Sequence, residues 1–379
     1  MIDLSNKENC TGCRACLASC PKHCITGAFD HEGFWYPKIN INQCVDCHIC
    51  EKVCPVNTGS TSDGASEQYA VYCKTALIRK KSSSGGIFPL IAKTIIDEGG
   101  AVFGAAFDSE FVVKHICINK HEGIAKLRGS KYVQSDMGDS ISQVKSLLKE
   151  GKKVLFSGCP CQVNGLLNAI DKNLSKNLIT IDFVCHGVPS PKIFKSYLQE
   201  RKKSGDIVEV LFRNKKYGWK TYSMKIESKN GNIYRKVFVL DTYMQLYLRN
   251  LISRPSCYVC SQNHRSDITL ADYWNIAKKH PELNDGMGIT KMQIHSQKGQ
   301  LLWGEIQNQC VSICDEIRDL DIQKPRIVPP KRQLIFDNID KYSFGELYSK
   351  YGKQGFLYEV KNRVKTLIKI VSYFLGKNL

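Results

Sequence analysis

The sequence repeats itself once, and the repeat is built of cysteine. Cys10-x₂-Cys13-x₂-Cys16-x₃-Cys20-Pro21 is answered about thirty residues later by Cys44-x₂-Cys47-x₂-Cys50-x₃-Cys54-Pro55. Three closely spaced thiolates wrap one iron–sulfur cube, and the fourth, beyond a short helical turn, points at the neighbouring cube. Two copies therefore imply two [4Fe–4S] clusters, one on Cys10, Cys13, Cys16 and Cys54, the other on Cys44, Cys47, Cys50 and Cys20. Zinc takes four ligands in two separated pairs, which a triple-plus-one repeat does not supply. The prolines end each turn and redirect the chain. The run Gly33-Phe34-Trp35-Tyr36-Pro37 is expected as an aromatic strand that shields a cluster, and Cys24, outside the repeat, as a small apolar residue beneath one.

The chain has 379 residues and 42% hydrophobic content, enough for a core of its own beside a small cofactor module. Met1 to Asn9 shows no signal-peptide pattern, and no apolar run approaches the roughly 18 residues of a membrane span. A cytoplasmic chain is expected, where 18 cysteines serve metal or redox chemistry rather than disulfides. The formal charge of +18 counts no cysteine thiolate. Each four-thiolate cluster nets about −2, so three of them would bring the surplus down to about +12. That balance suits an acidic electron donor or a phosphorylated cofactor, and no nucleic-acid-binding motif accompanies it.

Asn57 to Gln68 (NTGSTSDGASEQ) is rich in Gly and Ser and reads as a linker. Beyond it, strand-like Tyr69 to Ile78 leads to Ser82-Ser83-Ser84-Gly85-Gly86, a helix Ile87 to Glu98 and a buried strand Ala101 to Phe107. Free N–H groups at such a helix start can bind an anion; a plain cap by Ser84 is the ordinary alternative. The alternation continues with a helix Gly138 to Gly151, a strand Lys153 to Phe156, a helix Val163 to Ile170 and a strand Ile179 to Val184. This order predicts an α/β sheet with functional loops at the carboxyl ends of its strands, where Cys159, Cys161 and Cys185-His186 fall. With the Cys257-x₂-Cys260 pair, Cys161 and Cys185 make a third four-thiolate set, Cys159 being a substitute for Cys161. Spacing alone suits an iron–sulfur cluster and structural zinc equally.

Residues 1 to 57 resemble the bacterial two-cluster ferredoxins. From about Tyr69 to Pro330 the chain resembles the beta subunit family of coenzyme F420 hydrogenase and dehydrogenase. The residues that carry this likeness are Ser82 to Gly86, Arg128-Gly-Ser-Lys-Tyr-Val-Gln134, Gly158-Cys-Pro-Cys-Gln162, Cys185-His-Gly-Val-Pro-Ser-Pro191, Phe212-Arg-Asn-Lys215 with Gly218-Trp219, and Cys257-Tyr-Val-Cys260 through Asp272-Tyr-Trp274. The resemblance implies FAD beside a [4Fe–4S] cluster and favours a third cluster on Cys161, Cys185, Cys257 and Cys260. It assigns FAD binding to Ser83, Ser84, Gly85 and Gly86, and to Lys131, Tyr132 and Gln134. The expected architecture is a ferredoxin-like two-cluster module fused to an α/β flavin and iron–sulfur domain. Its divisions are 1–57, a linker 58–68, 69–150, 151–330 and a helical extension 331–379.

A flavin links one-electron donors to two-electron chemistry. The expected function is therefore an oxidoreductase that carries electrons from reduced ferredoxin or another redox protein, through the clusters and FAD, to a small-molecule, lipid-linked or F420-like acceptor. The alternative is an electron-transfer subunit whose chemistry happens on a partner enzyme. His186 is a candidate proton donor or flavin-steering residue, with a supporting hydrogen bond as its ordinary role. Arg213, Lys215 and Lys131 could hold an anionic group. Finally, Gly355 to Gly376 places Phe356, Val360, Val364, Leu367, Ile368 and Val371 on one helix face, with Lys361, Arg363, Lys365 and Lys369 on the others. Docking of that face on the body is the default; pairing with a partner and contact with an anionic membrane are the other placements.

Overall fold

The computed structural model of the chain describes residues 6–58, 67–261, 263–315 and 326–375. At the N-terminus, strands β1 (Ile25–Phe29) and β2 (Trp35–Ile39) form an antiparallel hairpin beside two short helices, Ala15–Ser19 and Ile49–Lys52. Each helix starts from a non-glycine residue in the left-handed region, Arg14 at φ 62° and His48 at φ 59°. These residues follow Cys13 and Cys47, so the cysteine repeat is also a repeat of backbone. A left-handed turn at that point curls each Cys-x₂-Cys-x₂-Cys segment back on itself.

The body is an eight-stranded mixed sheet. Its strands are β3 (Glu67–Cys73), β4 (Ala101–Phe107), β5 (Val113–Ile118), β6 (Val154–Ser157), β7 (Leu178–Phe183), β11 (Ile268–Asp272), β12 (Thr290–Ile294) and β13 (Cys310–Cys314), in the order β13-β3-β12-β11-β7-β6-β4-β5. The run β11-β7-β6-β4 is parallel and its outer neighbours are antiparallel. Parallel strands are covered on both faces, which explains the unbroken apolar stretches of β4 and β6. Val102 and Leu155 pack on one face against the Ile87–Asp97 helix. Phe103 and Phe156 pack on the other against the Ser140–Lys149 and Pro160–Ala169 helices. A separate antiparallel sheet of β8 (Ile207–Asn214), β9 (Ser223–Ser228) and β10 (Ile233–Val237) buries its apolar face under the Pro191–Lys202 and Thr242–Leu248 helices.

Three expectations are corrected. The linker 58–68 lies mostly outside the described residues, but Glu67 and Gln68 already belong to β3. The helix after β6 begins at Pro160 instead of Val163, because proline suits a first helical position and Cys159 and Gln162 cap each other reciprocally. Cys161 thus sits inside the first helical turn. The apolar stripe of the C-terminal helix, Phe356–Phe374, is not docked: Leu367 is 63% and Val371 50% exposed, whereas Thr366 on another side is buried.

The N-terminal module is not a bead on a string. Cys13, Ala15 and Val53 share one apolar core with Phe103, Val163 and Leu166 of the body. Phe34 is fully buried and packs 6.2 Å from Phe336, and buried Glu32 forms a bidentate pair with Arg332 at 3.0 and 2.5 Å. Gly165 marks the closest approach, since a Cβ there would stand 2.7 Å from Cys13 Sγ. Gly165→Ala is therefore expected to destabilise the protein by about 1–3 kcal/mol through overpacking. Gly304, within the Gln297–Ile306 helix, has nothing near its missing Cβ, so Gly304→Ala should stabilise by about 0.5–1 kcal/mol. Anaerobic denaturant titration of the two variants checks the opposite signs.

Candidate functional site

The two copies of the repeat exchange their last cysteines in space. Cys10, Cys13, Cys16 and Cys54 line one recess together with Arg14, Trp35 and Pro37. Cys20, Cys44, Cys47 and Cys50 line a second, together with Cys24. The recesses thus collect the two sets expected from spacing. Trp35 covers the first from the hairpin, with the Arg14 guanidinium 4.5 Å from its ring, while its neighbour Phe34 turns into the body. Cys24 is buried, and its Sγ lies 3.4 Å from that of Cys20. Burial pushes the Cys13 thiol up to about 11. A set of four soft sulfurs, most of them partly withdrawn from solvent, fits a thiolate-bound iron–sulfur core, which requires deprotonated ligands and supplies the compensating charge.

A third group of cysteines forms where β6 and β7 end side by side. Cys159 and Cys161 come from the helix that follows β6, Cys185 from the loop after β7, and Cys257 and Cys260 from a turn more than seventy residues on. Cys159 and Cys185 sulfurs are 3.9 Å apart. Burial raises the Cys161 thiol strongly, and the neighbouring Cys260, Cys185 and Cys257 raise it further. Burial also pushes Cys257 up to about 12. The backbone N–H groups of Gly187 and Val188 donate to Cys185 Sγ and Cys257 Sγ, each at 3.4 Å. Five sulfurs, of which Cys185 and Cys257 accept from backbone N–H groups, are a donor set that fits a four-iron core, with one cysteine to spare.

This group adjoins the first recess. Cys161 also feels the charge of Cys13, against which Gly165 of the same helix is packed. Arg254, fully buried, is the second link. Its guanidinium donates to the Cys10 carbonyl (2.7 Å), the Trp35 carbonyl (2.9 Å), Gln134 Oε1 (3.0 Å) and Cys10 Sγ (3.5 Å), while its carbonyl accepts from Cys257 N–H at 3.0 Å. No carboxylate pairs with Arg254 among the described residues, so the countercharge for its buried cation is left to the cysteine thiolates. Gly12, at φ 74°, leaves the room that Gln134 and Arg254 occupy. Arg254 was not singled out from the sequence. Its one signal was position, three residues ahead of Cys257.

The remaining expected residues fall around the Ser82–Gly86 loop. Ser83 Oγ accepts from Ser130 N–H (2.7 Å) and Ser130 Oγ (2.8 Å), which joins this loop to the 128–134 segment. Ser84 does not cap the helix: its hydroxyl donates to the Ile289 carbonyl at 2.7 Å, and Gly86 takes the cap position. Gly85 N–H donates to Thr290 Oγ1 at 3.0 Å. Lys215 Nζ reaches the carbonyls of Ser84, Arg79 and Met287, and Lys131 Nζ those of Lys126, Leu127 and Arg128. Loss of water around each ammonium brings both lysines down to about 7, helped by Arg128 at Lys131 and by Arg213 at Lys215. Arg213 is paired with Asp272, yet its Nε and Nη2 are buried without a partner. Such orphaned donors beside two poised lysines fit an anionic ligand. Tyr132 stacks on Tyr247 at 4.8 Å, and Tyr247 meets the His186 ring at 5.1 Å. His186 Nε2 lies 3.3 Å from the Leu248 carbonyl. Gln134 is placed elsewhere, its amide engaged by Thr11 and Arg254.

Two recesses, each lined by four cysteines of the repeat, on an α/β body define an iron–sulfur electron-transfer protein. Residues 9–58 match the 4Fe-4S dicluster domain, and residues 151–319 match the C terminus of the coenzyme F420 hydrogenase/dehydrogenase beta subunit. The chain is thus similar to the coenzyme F420 hydrogenase/dehydrogenase beta subunit over that C-terminal segment, and carries a 4Fe-4S dicluster domain at its N-terminus. Its N-terminal part is 38% identical to a ferredoxin of Saccharopolyspora erythraea over 61 residues, 16% of this chain and 53% of that protein. It is 36% identical to a 7Fe ferredoxin of Hydrogenibacillus schlegelii over 67 residues, 17% of this chain and 80% of that protein. The chain thus spans about half the length of the first of these ferredoxins. Among solved structures, a chain of the F420-reducing [NiFe] hydrogenase complex from Methanosarcina barkeri superposes with a TM-score of 0.48 at 17% identity, covering 77% of this chain and 94% of that one. No helix among the described residues is long and apolar enough to cross a membrane.

Proposed function

We propose that the chain is an iron–sulfur flavoprotein oxidoreductase that takes electrons from a reduced redox protein and delivers them to an organic acceptor. The observation that carries this reading is the serial arrangement of its sites. The outer recess, with Cys47 and Val45 exposed, faces solvent, where a donor protein can approach. The Cys10/Cys13/Cys16/Cys54 recess lies against the helix that bears Cys161. From Cys185 the neighbouring His186, Tyr247 and Tyr132 lead, ring against ring, to the loops of Ser83 and Lys131.

In this reading Cys161, Cys185, Cys257 and Cys260 hold a third [4Fe–4S] cluster, and Ser83, Ser84, Gly85, Gly86, Lys131 and Tyr132 hold FAD. Gln134 serves that site from behind, by fixing the module through Thr11 and Arg254. Bound there, a flavin would exchange single electrons on one side for hydride chemistry on the other. His186 keeps the Tyr247 ring in place and is the titratable group nearest the path. Anaerobically purified protein should contain about twelve irons and one FAD per chain. Reduced ferredoxin should bleach the flavin absorbance. About eight irons, or protein that never retains flavin, would overturn the corresponding half of the proposal.

The lysines add a pH dependence. A lysine with its folded value depressed to about 7 is neutral above that pH and must take up a proton to face the flavin diphosphate. Among the neighbouring charges, Arg128 opposes protonation of Lys131, and at Lys215 Arg213 and Arg79 oppose it while Asp272 and Asp285 offset part of that opposition. FAD affinity should therefore fall roughly tenfold per pH unit between about 7 and 9. Fluorescence titration of the flavin-depleted protein checks the slope, and Lys215→Met should flatten it.

A further inference from the structure

The Phe356–Phe374 helix meets the body with its less apolar side. Asn362, Thr366, Ile370 and Tyr373, three or four residues apart, are withdrawn from solvent. Near its end, Phe374 touches the Tyr217 ring, and Tyr373 lies over Gly218. At 3.6 residues per turn, Phe356, Val360, Val364, Leu367, Val371 and Phe374 run along a different side, and all six are between 40% and 77% exposed. A stripe five turns long that stays in water after the chain has folded is not a core element.

Charge identifies what covers it. Going round the helix, Arg363 borders the stripe on one edge and Lys361 on the other, with Lys365 and Lys369 beyond. All four are solvent-exposed. Glu359 is the helix's one acidic residue, and it lies on the side toward the body. A second copy of the stripe would set these cations against their own kind. An apolar strip edged by cations instead matches the boundary between acyl chains and anionic headgroups, where lysine and arginine stems lie along the apolar layer and their charges reach phosphate.

We propose that this helix is a membrane-surface anchor that lies in the plane of an anionic lipid leaflet. It would hold the body with the Tyr217–Trp219 turn toward the lipid. Trp219 in that turn stacks on Trp274 at 4.8 Å and donates to Asp272, the partner of Arg213. The anchor does not depend on flavin binding or on the third cluster.

The test is co-sedimentation of the full-length, cluster-loaded protein with vesicles of equal parts phosphatidylglycerol and phosphatidylcholine, and with phosphatidylcholine alone. Binding is expected to the anionic vesicles, weakening at least about tenfold between roughly 50 and 500 mM salt. Leu367→Glu with Val371→Glu, and separately Lys361→Glu with Lys365→Glu, should each weaken it by about tenfold or more. Both pairs are exposed, so cluster absorbance and thermal unfolding should stay unchanged and separate loss of docking from loss of fold. Failure of the wild type to bind anionic vesicles at low salt would overturn the proposal, as would equal binding to neutral vesicles or an apolar-face variant that binds like the wild type. A stable dimer in sedimentation equilibrium that the Leu367/Val371 variant dissociates would assign the stripe to a second copy instead.

Discussion

Arg254→Leu is expected to be the most damaging single substitution away from the cysteines. The guanidinium is fully buried, and four of its donor contacts reach the N-terminal module or the residue that braces it. Leucine leaves the carbonyls of Cys10 and Trp35 and the Gln134 amide oxygen without a donor in a dry site, a loss of about 3–5 kcal/mol. The effect on electron transfer has a definite sign. A cation hydrogen-bonded to a ligand sulfur favours the more negative, reduced form of a cluster, so its removal should shift the Cys10/Cys13/Cys16/Cys54 cluster to lower potential, on the order of 50–100 mV. Arg254→Lys keeps the charge but cannot span four partners, and should recover part of the potential with little of the stability. Potentiometric titration followed by EPR reads the shift apart from activity. An unchanged potential in the leucine variant would remove Arg254 from any redox role and leave it a structural tie.

With the third cluster placed as proposed, Cys257→Ala should remove a whole cluster while sparing two. The turn that carries Cys257 closes a pocket whose other sulfurs come from the ends of β6 and β7, so its loss should cost about four of twelve irons. The Cys10 and Cys44 sets lie in other recesses, and their EPR signals should persist. Transfer from those clusters to flavin should slow by orders of magnitude once the intermediate site is gone, whereas direct chemical reduction of the flavin should not. Cys159 and Cys161 offer a finer test. Both thiols interact with Cys185 and Cys257, but Cys161 also interacts with Cys260 and with Cys13 of the neighbouring recess, so on the proposed ligand set Cys161→Ala is expected to lose iron and Cys159→Ala to keep it. Full iron in Cys257→Ala would mean that this residue is no ligand.

Much of the site could be read directly from residue order. The paired cysteine blocks carried their own partners, because a ligand set with three members within seven residues is close to a local structure. The alternation of apolar runs with helical segments likewise indicated which loops gather at the strand ends, since parallel strands joined by helices leave their loops on one edge. Misreadings came where a local signal had two physical solutions. Pro160 reads as a turn residue, and here it opens a helix. Ser84 reads as a cap, and here it holds the Ile289 carbonyl while Gly86 takes the cap. Gln134 belongs to the same motif as Lys131, but it faces the module because Val133 between them is turned into the core.

Residue order alone carries the chemistry: eight cysteines in two interleaved sets, an α/β body, a third scatter of thiols and a basic amphipathic helix. How these parts are connected depends on contacts that form only in the folded chain. Arg254 and Cys10 are separated by 244 positions in the chain, and Glu32 and Arg332 by 300. Contacts at such separations leave no periodicity or spacing for a sequence reader, because they depend on how two finished surfaces meet. The same reason governs the C-terminal helix. Its amphipathicity is a local property of nineteen residues, but which side turns to the body is settled by the surface it lands on, and that surface left the apolar stripe in water.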